Sequence, residues 1–313
     1  MEILLTNDDG IYAPGLWALH DSLARHHRVT VVAPDRERSA VSHGITLHRP
    51  LRAEAVRPAG TAGGYAVNGT PADCVKLGIL EILGAPPDLV IAGINPGANV
   101  GISIHYSGTV SAAREGALYG IRSLAVSMNT TNGRVHHYDD AARFVRSLAE
   151  TAVRRGIPFG TLLNVNIPDR PPAEIAGVRI SRQGVALITE YFEKRVDPRN
   201  RAYHWLGGDI QTFDDDLDID WTALARGYIT VTPIKCDTTD YETLGALSRW
   251  AVAPDSATGE PRETSEVSSK ETSEVSSKET SEVSSKETSE VSSKETSEVS
   301  SNETSEVSSK ETS

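Results

Sequence analysis

Cysteine is scarce in this sequence, and long apolar runs are missing. The 313 residues include only Cys74 and Cys236, which form no CxxC pair and have no histidine at metal-ligand spacing. This argues against a disulfide scaffold and against a zinc site, so we expect both cysteines to be small buried apolar side chains. No apolar run approaches the roughly 20 residues that a membrane helix needs, and Met1 leads into a strand-like segment without a basic or apolar leader. We therefore expect a cytoplasmic protein with no membrane partner.

Clustered positive charge is also missing. The chain has 31 Lys and Arg against 43 Asp and Glu, a net charge of −12. A repeat of ETSEVSSK over residues 263–313 carries −8 of this charge, which leaves −4 for residues 1–262. Affinity for the phosphate backbone of DNA or RNA requires clustered Lys and Arg, so we expect no nucleic acid polymer as a partner. A small phosphorylated ligand remains compatible with this composition.

The repeat over residues 263–313 has almost nothing to bury. Valine is its only apolar residue and occurs once in each octad, a spacing that matches no helical period. Ser, Thr and Glu cannot bury enough surface to offset the entropy of ordering. We interpret this segment as a disordered acidic tail, with an interaction segment and a replication artefact as alternatives. The remainder, residues 1–262, is predicted to be one domain.

Short β-branched runs alternate with helical patterns through about residue 177. Predicted strands lie near 3–5, 29–33, 88–93, 123–127 and 162–165, and predicted helices near 14–26, 71–83, 110–119 and 138–154. The strands lack a polar alternate face, as strands buried on both sides of a parallel sheet do. The order therefore predicts an α/β core of βαβ units with a mostly parallel sheet.

Residues 178 to 219 interrupt this alternation with irregular, aromatic-bearing sequence. This pattern is typical of an extended β-hairpin that projects from the sheet, and it could form an oligomer contact. One more strand over 227–233 and a helix over 241–250 are predicted to follow. We place the core at about 1–177 and the hairpin and C-terminal region at about 178–250.

Three common catalytic fingerprints do not occur. There is no GxGxxG after the first strand and no GxxxxGK[ST] anywhere in the chain. This argues against a dinucleotide-dependent oxidoreductase and against a P-loop NTPase. A GxSxG motif is also missing, so the nucleophile elbow of a serine hydrolase is not expected.

Two adjacent carboxylates, Asp8 and Asp9, directly follow the first predicted strand within the segment TNDDG. Ligands of open parallel sheets bind at the carboxyl ends of strands. Neighbouring carboxylates repel each other unless a cation offsets their charge, and hard oxygen ligands suit Mg²⁺, Mn²⁺ or Ca²⁺. Asn, Asp and Gly are also common turn formers, so this segment taken alone is equally compatible with a plain loop.

Three further polar segments strengthen the case for a site. Residues 35–44 and 93–101 follow two other predicted strands, and the segment YSGTV at 106–110 opens a helix. Backbone N–H groups at that helix start would face an anion with the positive end of the helix dipole behind them. Each segment also has an ordinary interpretation as loop or N-cap chemistry. Together they are the parts needed for metal-assisted hydrolysis of a phosphate ester.

These segments also match one known pattern in order and at compatible spacing. They are LLTNDDGI, VVAPDRERSAVSHGITL, GTPADCV, DLVIAGIN, NVG, YSGTV, LNVNIP and GYITVTP. With them, residues 1 to about 250 closely resemble the stationary-phase survival proteins, the SurE-type nucleotidases. The octad repeat has no place in that pattern. The resemblance implies a Rossmann-like three-layer core and a C-terminal element swapped within a homodimer. A tetramer is left open as an alternative to the dimer.

The resemblance also implies an activity. It predicts a 5'-nucleotidase, a phosphomonoesterase that hydrolyses nucleoside 5'-monophosphates, and 3'-monophosphates as well, to nucleoside and phosphate. One divalent cation per subunit, Mg²⁺ or Mn²⁺, would activate the attacking water. The implied metal ligands are Asp8, Asp9, Ser39 and Asn95. The implied phosphate-binding residues are Ser107, Gly108 and Thr109, with Asn99 and Gly44 as nearby candidates.

Proton transfer has two candidates. Asp9 could act as both metal ligand and base, and His43 lies in the same loop as Ser39. A histidine titrates near neutral pH, but a structural role for His43 is an equally good interpretation. His105, just before the helix start, is expected to pack rather than to react.

Two other acidic features have structural interpretations. Asp73, in the segment TPAD, is expected to cap its helix, although it could also border a nucleoside pocket. The acidic run over residues 214–220 suggests a second metal site, but it lacks the Gly turn and the distal Glu of a Ca²⁺ loop. We expect a solvated acidic loop there. A nucleotide- or phosphate-sensing protein without turnover, and a scaffold that acts through the acidic tail, remain as alternative functions.

Overall fold

The computed structural model describes residues 1–130, 133–212 and 215–250. The chain divides into two units, Met1–Thr238 and Thr239–Ser313. The first unit holds the sheet and every predicted site residue, and the described part of the second contains one helix, Tyr241–Leu247. The predicted acidic tail lies outside the described residues. Within the described ranges, no helix is both long enough and apolar enough to cross a membrane.

Eleven strands and six α-helices make up the described fold. The strands are β1 Glu2–Thr6, β2 Arg28–Pro34, β3 Ala53–Val56, β4 Gly64–Val67, β5 Leu89–Pro96, β6 Arg122–Asn129, β7 Thr161–Pro168, β8 Gly177–Ile180, β9 Ala186–Val196, β10 Ala202–Thr212 and β11 Tyr228–Lys235. The helices are α1 Pro14–Ala24, α2 Pro71–Leu77, α3 Gly108–Leu118, α4 Tyr138–Arg155, α5 Asp220–Ala225 and α6 Tyr241–Leu247. A π-helical segment, Gly78–Ile82, continues α2, and a 3₁₀ turn, Gly101–His105, precedes α3.

Nine of these strands form one sheet in the order β3-β4-β2-β1-β5-β6-β7-β11-β8. The pairs from β4 through β7 are parallel, and only β3 and β11 pair antiparallel with a neighbour. From β1 the chain moves to β2 on one side and later returns to β5 on the other side. The sheet therefore has its topological switch point between β1 and β5, where ligands of open α/β sheets bind.

The buried strands explain the apolar runs in the sequence. In β1, Ile3, Leu4 and Leu5 are all fully buried. Ile3 and Leu5 pack in the core beneath α1 and α4, whereas Leu4 packs in the core beneath α2 and α3. Since successive side chains point to opposite faces, a strand covered on both sides must be apolar throughout. This confirms the predicted three-layer α/β core.

The predicted start of α2 is confirmed as a capping box. The N–H of Asp73 donates to the Thr70 hydroxyl at 3.1 Å, and the N–H of Thr70 donates to the Asp73 carboxylate at 2.9 Å. Asp73 also accepts two hydrogen bonds from Thr46, which tie the preceding loop to the helix. The segment is α-helical to Leu77 and π-helical to Ile82, which together cover nearly all of the predicted 71–83.

The projecting hairpin is also confirmed, because β9 and β10 pair antiparallel in a separate two-stranded sheet. The short strands β3 and β4 were not predicted, since neither carries a strong apolar run. Cys74 is buried as expected, whereas Cys236 is only half-buried, and both are free thiols. The expectation of a solvated acidic loop over 214–220 is wrong at Asp220, which is 0% exposed because three backbone N–H groups surround its carboxylate.

Candidate active site

Three loops that carry the predicted metal ligands meet at the carboxyl edge of the sheet. Asp8 follows β1, Ser39 follows β2, and Asn95 lies near the end of β5. These three strands are parallel neighbours, with β1 in the middle. Sequence spacing alone could not give this neighbourhood, because β5 lies some 90 residues after β1 in the chain.

A side-chain turn holds the acidic pair in place. The Asn7 side-chain amide donates to the Gly10 carbonyl at 2.9 Å, and the Gly10 N–H donates back to Asn7 Oδ1 at 3.2 Å. Gly10 has a φ of +98°, and a Cβ there would lie 2.9 Å from the backbone carbon of Arg36. Only glycine fits at this position, so the segment NDDG is indeed a turn, and the turn presents both carboxylates.

Asp8 lies directly against the start of α3. The Thr109 hydroxyl donates a short hydrogen bond to Asp8 Oδ1. At Gly108, a Cβ would lie 2.8 Å from the Cβ of Asp8 and 2.9 Å from its Oδ2. The absence of a side chain at Gly108 therefore allows the metal-ligand candidate and the helix N-terminus to touch. Burial raises the pKa of Asp8, and the hydrogen bond from Thr109 opposes this effect.

Asp9 is the most electrostatically unusual residue of the site. Its Oδ2 atom is buried and has no hydrogen-bond partner among the described residues. Burial, together with the nearby charges of Asp8 and Glu37, raises the pKa of Asp9 to about 7. An unpaired buried carboxylate oxygen beside two further carboxylates is costly unless a cation compensates the charge.

The donor set at this edge fits a hard divalent cation. Asn95 donates its amide N–H to the Gly97 carbonyl at 2.7 Å, which leaves Oδ1 as its acceptor atom. The exposed Ser39 hydroxyl donates to Glu37 at 2.6 Å. In the part of the chain that the structure describes, no group of three or more His, Cys, Asp or Glu side chains could hold a metal. A cation here would thus need neutral oxygens beside the two Asp carboxylates, as Mg²⁺ and Mn²⁺ accept.

The start of α3 is the predicted anion-binding position. Ser107 is the N-cap residue, and its hydroxyl accepts the N–H of Val110 at 3.1 Å. The N–H groups of Gly108 and Thr109 belong to the first turn, where no intrahelical acceptor exists. Both residues are buried, and the Thr109 N–H lies against the Asp8 carboxylate, whose pKa it lowers, at the positive end of the helix dipole. The N-cap interpretation is therefore confirmed for Ser107. The anion-binding interpretation stays a prediction for the neighbouring N–H groups of the same turn.

The two remaining phosphate candidates are already engaged. The Gly44 N–H donates to Val41 at 3.3 Å, and its carbonyl accepts the Thr70 hydroxyl at 2.7 Å. The Asn99 amide donates to the Ser127 hydroxyl at 2.7 Å, and the Asn99 backbone N–H donates to Asn166 at 2.8 Å. Asn99 retains one side-chain N–H for a ligand, whereas Gly44 retains none.

His43 is anchored away from the start of α3. Its Nε2 lies 2.7 Å from the buried Glu115 carboxylate, which also accepts the Lys76 ammonium at 2.5 Å. Glu115 is seven residues after Gly108 on α3, which corresponds to about 10 Å along the helix axis. This geometry favours the structural alternative for His43. His105 contacts the side chain of Gln183 at 3.3 Å and makes no contact with the acidic pair.

Two residues near the acidic pair were missed by the sequence reasoning. Glu37 lies close enough to raise the pKa of both Asp8 and Asp9, and its only signal was its place in the Ser39 loop. Tyr138, the first residue of α4, packs against Gly15, where a Cβ would lie 2.8 Å from its ring. Burial and the charges of Asp9 and Asp169 raise the pKa of Tyr138 to about 12. No local signal linked Tyr138 to Asp9, because the fold alone brings them together.

Comparisons with known proteins identify the family of this chain. The family described as survival protein SurE matches residues 3–190. A protein of Desulfatibacillum aliphaticivorans named 5'-nucleotidase SurE is 57% identical over 252 residues, which cover 80% of this chain and 99% of that protein. A protein of the same name from Syntrophobacter fumaroxidans is 47% identical over 250 residues, with 80% and 99% coverage. The crystal structure of the SurE protein from Aquifex aeolicus superimposes with a TM-score of 0.70 at 38% identity, and covers 79% of this chain and 98% of that one. The chain therefore belongs to the SurE survival protein family.

Proposed function

We propose that this chain is a 5'-nucleotidase that hydrolyses nucleoside 5'-monophosphates, and 3'-monophosphates as well, to nucleoside and inorganic phosphate. The observation that carries this proposal is the buried, unpartnered Oδ2 of Asp9, which lies beside Asp8 where Asp8 touches the N-terminus of α3. A cation position and an anion position are thereby adjacent, as hydrolysis of a phosphate ester requires. The relatives named 5'-nucleotidase support the enzyme class and the substrate.

One divalent cation per subunit, Mg²⁺ or Mn²⁺, would be held by Asp8, Asp9, Ser39 and Asn95. When bound, it supplies a lowered pKa for an attacking water and compensation of charge on the phosphate oxygens. The backbone N–H groups of Gly108 and Thr109 would bind the phosphate and form its cradle, the Thr109 N–H being shared with Asp8, with Ser107 and the second side-chain N–H of Asn99 beside them. Thr109 also fixes Asp8 through its hydroxyl.

Asp9 is our first candidate for proton transfer, because its unpartnered oxygen is next to the cradle rather than in a hydrogen-bond network. His43 is the second candidate, and only its Nδ1 is then left for chemistry, since Nε2 bonds to Glu115. Gly44 has no donor left for the phosphate, because its own N–H is engaged by Val41, and it holds the loop that carries His43 through its carbonyl, which accepts the Thr70 hydroxyl.

Phosphate release tests the proposal directly. The full chain is assayed with a panel of nucleoside 5'- and 3'-monophosphates in Mg²⁺, in Mn²⁺ and in EDTA. We expect metal-dependent release that falls about 100-fold or more in Asp9→Asn, because a buried electrostatic contribution of this kind is worth that much. Asp21→Asn is the control, an exposed carboxylate on α1 outside the site. Release that persists in EDTA, or that survives Asp9→Asn, would contradict the proposal, and no release at all would favour a sensor.

We further propose a homodimer or a tetramer in the cytoplasm. The hairpin exposes large apolar side chains, with Phe192 at 68% and Trp205 at 60% exposure. Exposed clusters of this kind are typical of protein contacts. Sedimentation of the full chain decides between a dimer, a tetramer and a monomer.

A further inference from the structure

The 3₁₀ turn Gly101–His105 connects the loop after β5 to the phosphate cradle. Its geometry continues into α3, because the N–H of Ser107 donates to the Ser103 carbonyl at 3.1 Å. The other side of the turn contacts the Ser39 loop, where Ser42 donates to the His105 carbonyl at 2.8 Å. The position of this turn therefore sets the position of the cradle relative to the acidic pair.

Asp220 holds the first residue of this turn. Its Oδ2 accepts the N–H of Gly101 at 2.8 Å, and its Oδ1 accepts the N–H groups of Gly184 at 3.1 Å and Trp221 at 2.9 Å. The carboxylate is fully buried. Hydrogen bonds to an ionised acceptor are about twice as strong as neutral ones. No basic side chain is bonded to Asp220 among the hydrogen bonds of the described residues, so the three backbone donors fix its orientation.

Trp221 and Gln183 complete the contact. The Trp221 ring lies against both Gly101 and Gly184, and a Cβ on Gly101 would lie 2.7 Å from ring atom Cε3. Gly101 has a φ of +54°, so this position requires glycine on two grounds. The Gln183 amide donates to the Gly101 carbonyl at 2.9 Å. Both polar backbone groups of Gly101 are thus bonded, the N–H to Asp220 and the carbonyl to Gln183.

These contacts come from the two ends of the hairpin. Gln183 and Gly184 lie just before β9, and Asp220 and Trp221 start the helix that follows β10. The two ends are joined to each other, because the N–H of Asp220 donates to the Arg182 carbonyl at 3.1 Å. The base of the hairpin and the cradle therefore form one bonded unit.

We propose that Asp220, Trp221 and Gln183 are positioning residues, which hold the phosphate cradle against the acidic pair from the base of the hairpin. This inference rests on the proposed nucleotidase function. None of the three residues touches the cradle donors themselves. Their effect passes through the turn Gly101–His105, so their loss moves Ser107, Gly108 and Thr109 relative to Asp8.

The test compares Asp220→Asn with Asp218→Asn in the full chain. Asparagine keeps the shape of Asp220 but places an N–H₂ group against one of the three backbone donors, so one bond is lost. Asp218 is the matched control, since it lies two residues away, is exposed and pairs with Arg182 at 2.9 Å. The assay is run in Mg²⁺. In Asp220→Asn we expect the Ki of inorganic phosphate and the KM for 5'-AMP to rise about tenfold or more, because the groups that bind the phosphate are displaced. In Asp218→Asn both constants should stay within about twofold of the wild-type values.

A role confined to folding predicts a different result. Fewer folded molecules would lower kcat and leave both Ki and KM at their wild-type values, and that outcome would overturn the inference. If Asp220→Asn does not fold, Gln183→Ala decides the question, because the half-buried Gln183 side chain contacts only the two ends of the turn, at the Gly101 carbonyl and at His105, among its described hydrogen bonds. Trp221→Phe serves as a rescue variant beside Trp221→Ala. It keeps an aromatic ring and loses no hydrogen bond, since Nε1 has no partner among the described residues.

Amide hydrogen exchange distinguishes a failure of the proposed nucleotidase function from a failure of the proposed positioning role. If the wild-type chain releases no phosphate from any nucleotide, the proposed function fails, and hydrogen exchange then decides the positioning role. We expect faster amide exchange in segment 101–110 of Asp220→Asn than of Asp218→Asn, with strand β1 unchanged in both. Equal exchange in segment 101–110 would overturn the inference whatever the activity.

Discussion

The hydroxyl of Thr109 donates a hydrogen bond to Oδ1 of Asp8, and this bond joins the first turn of α3 to the acidic loop after β1. The two residues are 101 positions apart in the chain. The backbone N–H of Thr109 belongs to the proposed phosphate cradle, and the carboxylate of Asp8 belongs to the proposed metal site. Thr109 therefore sets the distance between the proposed phosphate cradle and the proposed metal site.

Replacement of Thr109 by valine tests this connection. Valine has nearly the same shape but no hydroxyl, so Asp8 loses a partner inside the fold, at a cost of about 1–3 kcal/mol in stability. We expect phosphate release to fall about tenfold to 100-fold, because Asp8 is no longer held in register with the cradle. Thr109→Ser keeps the hydroxyl and should retain most of the activity. Equal losses in the two variants would show that the hydroxyl is not the relevant group.

Gly108 supports a second prediction about the same contact. A Cβ at this position would lie 2.8 Å from the Asp8 Cβ, so Gly108→Ala must displace Asp8 or the helix start. We expect the Mg²⁺ concentration for half-maximal activity to rise about tenfold or more, since a ligand held even slightly out of place costs that much affinity. Gly245→Ala is the control, because its Cβ would meet no atom within 4 Å. An unchanged Mg²⁺ dependence in Gly108→Ala would separate Asp8 from the metal site.

Most of the core fold could be predicted, because local patterns determine it. The run Ile3, Leu4 and Leu5 indicated a strand covered on both faces, and the start TPAD indicated a capped helix. Both are local signals that need no knowledge of distant contacts. The short strands β3 and β4 were missed because they lie at the sheet edge, where β3 is exposed and an apolar run is not required.

The site was less predictable, because it depends on contacts between distant residues. Asp8 and Asp9 are marked by their place directly after a strand, whereas the only signal of Glu37 is its place in the Ser39 loop and Tyr138 has none. Asp220 was interpreted as part of a solvated acidic run, because composition cannot show that the backbone of Gly101 and Gly184 encloses one carboxylate of the series. Buried polar partners are properties of the tertiary fold, so sequence patterns predict them poorly.

The buried Glu115 connects two elements around the site. Its carboxylate accepts hydrogen bonds from Lys76 on α2 and pairs with His43 in the loop that also carries Ser39. Burial acts to raise the pKa of Glu115, but the bonds from His43 and Lys76 outweigh it, and the pKa lies below the ordinary value of 4.5. A carboxyl with a lowered pKa stabilises the fold when it is ionised.

The lowered pKa of Glu115 leads to a pH-dependent prediction for the stability of Glu115→Gln. The stabilisation by Glu115 is fully present above pH 4.5, and it is lost as the pH falls through the lower pKa of the folded state. We expect the wild type to exceed the variant by about 1–3 kcal/mol in free energy of unfolding at neutral pH. Urea unfolding at neutral pH and in steps below pH 4.5 measures this difference, which should shrink only in the acidic range. A difference that is constant with pH would mean that packing, and not the charge of Glu115, joins α2 and α3 to the His43 loop.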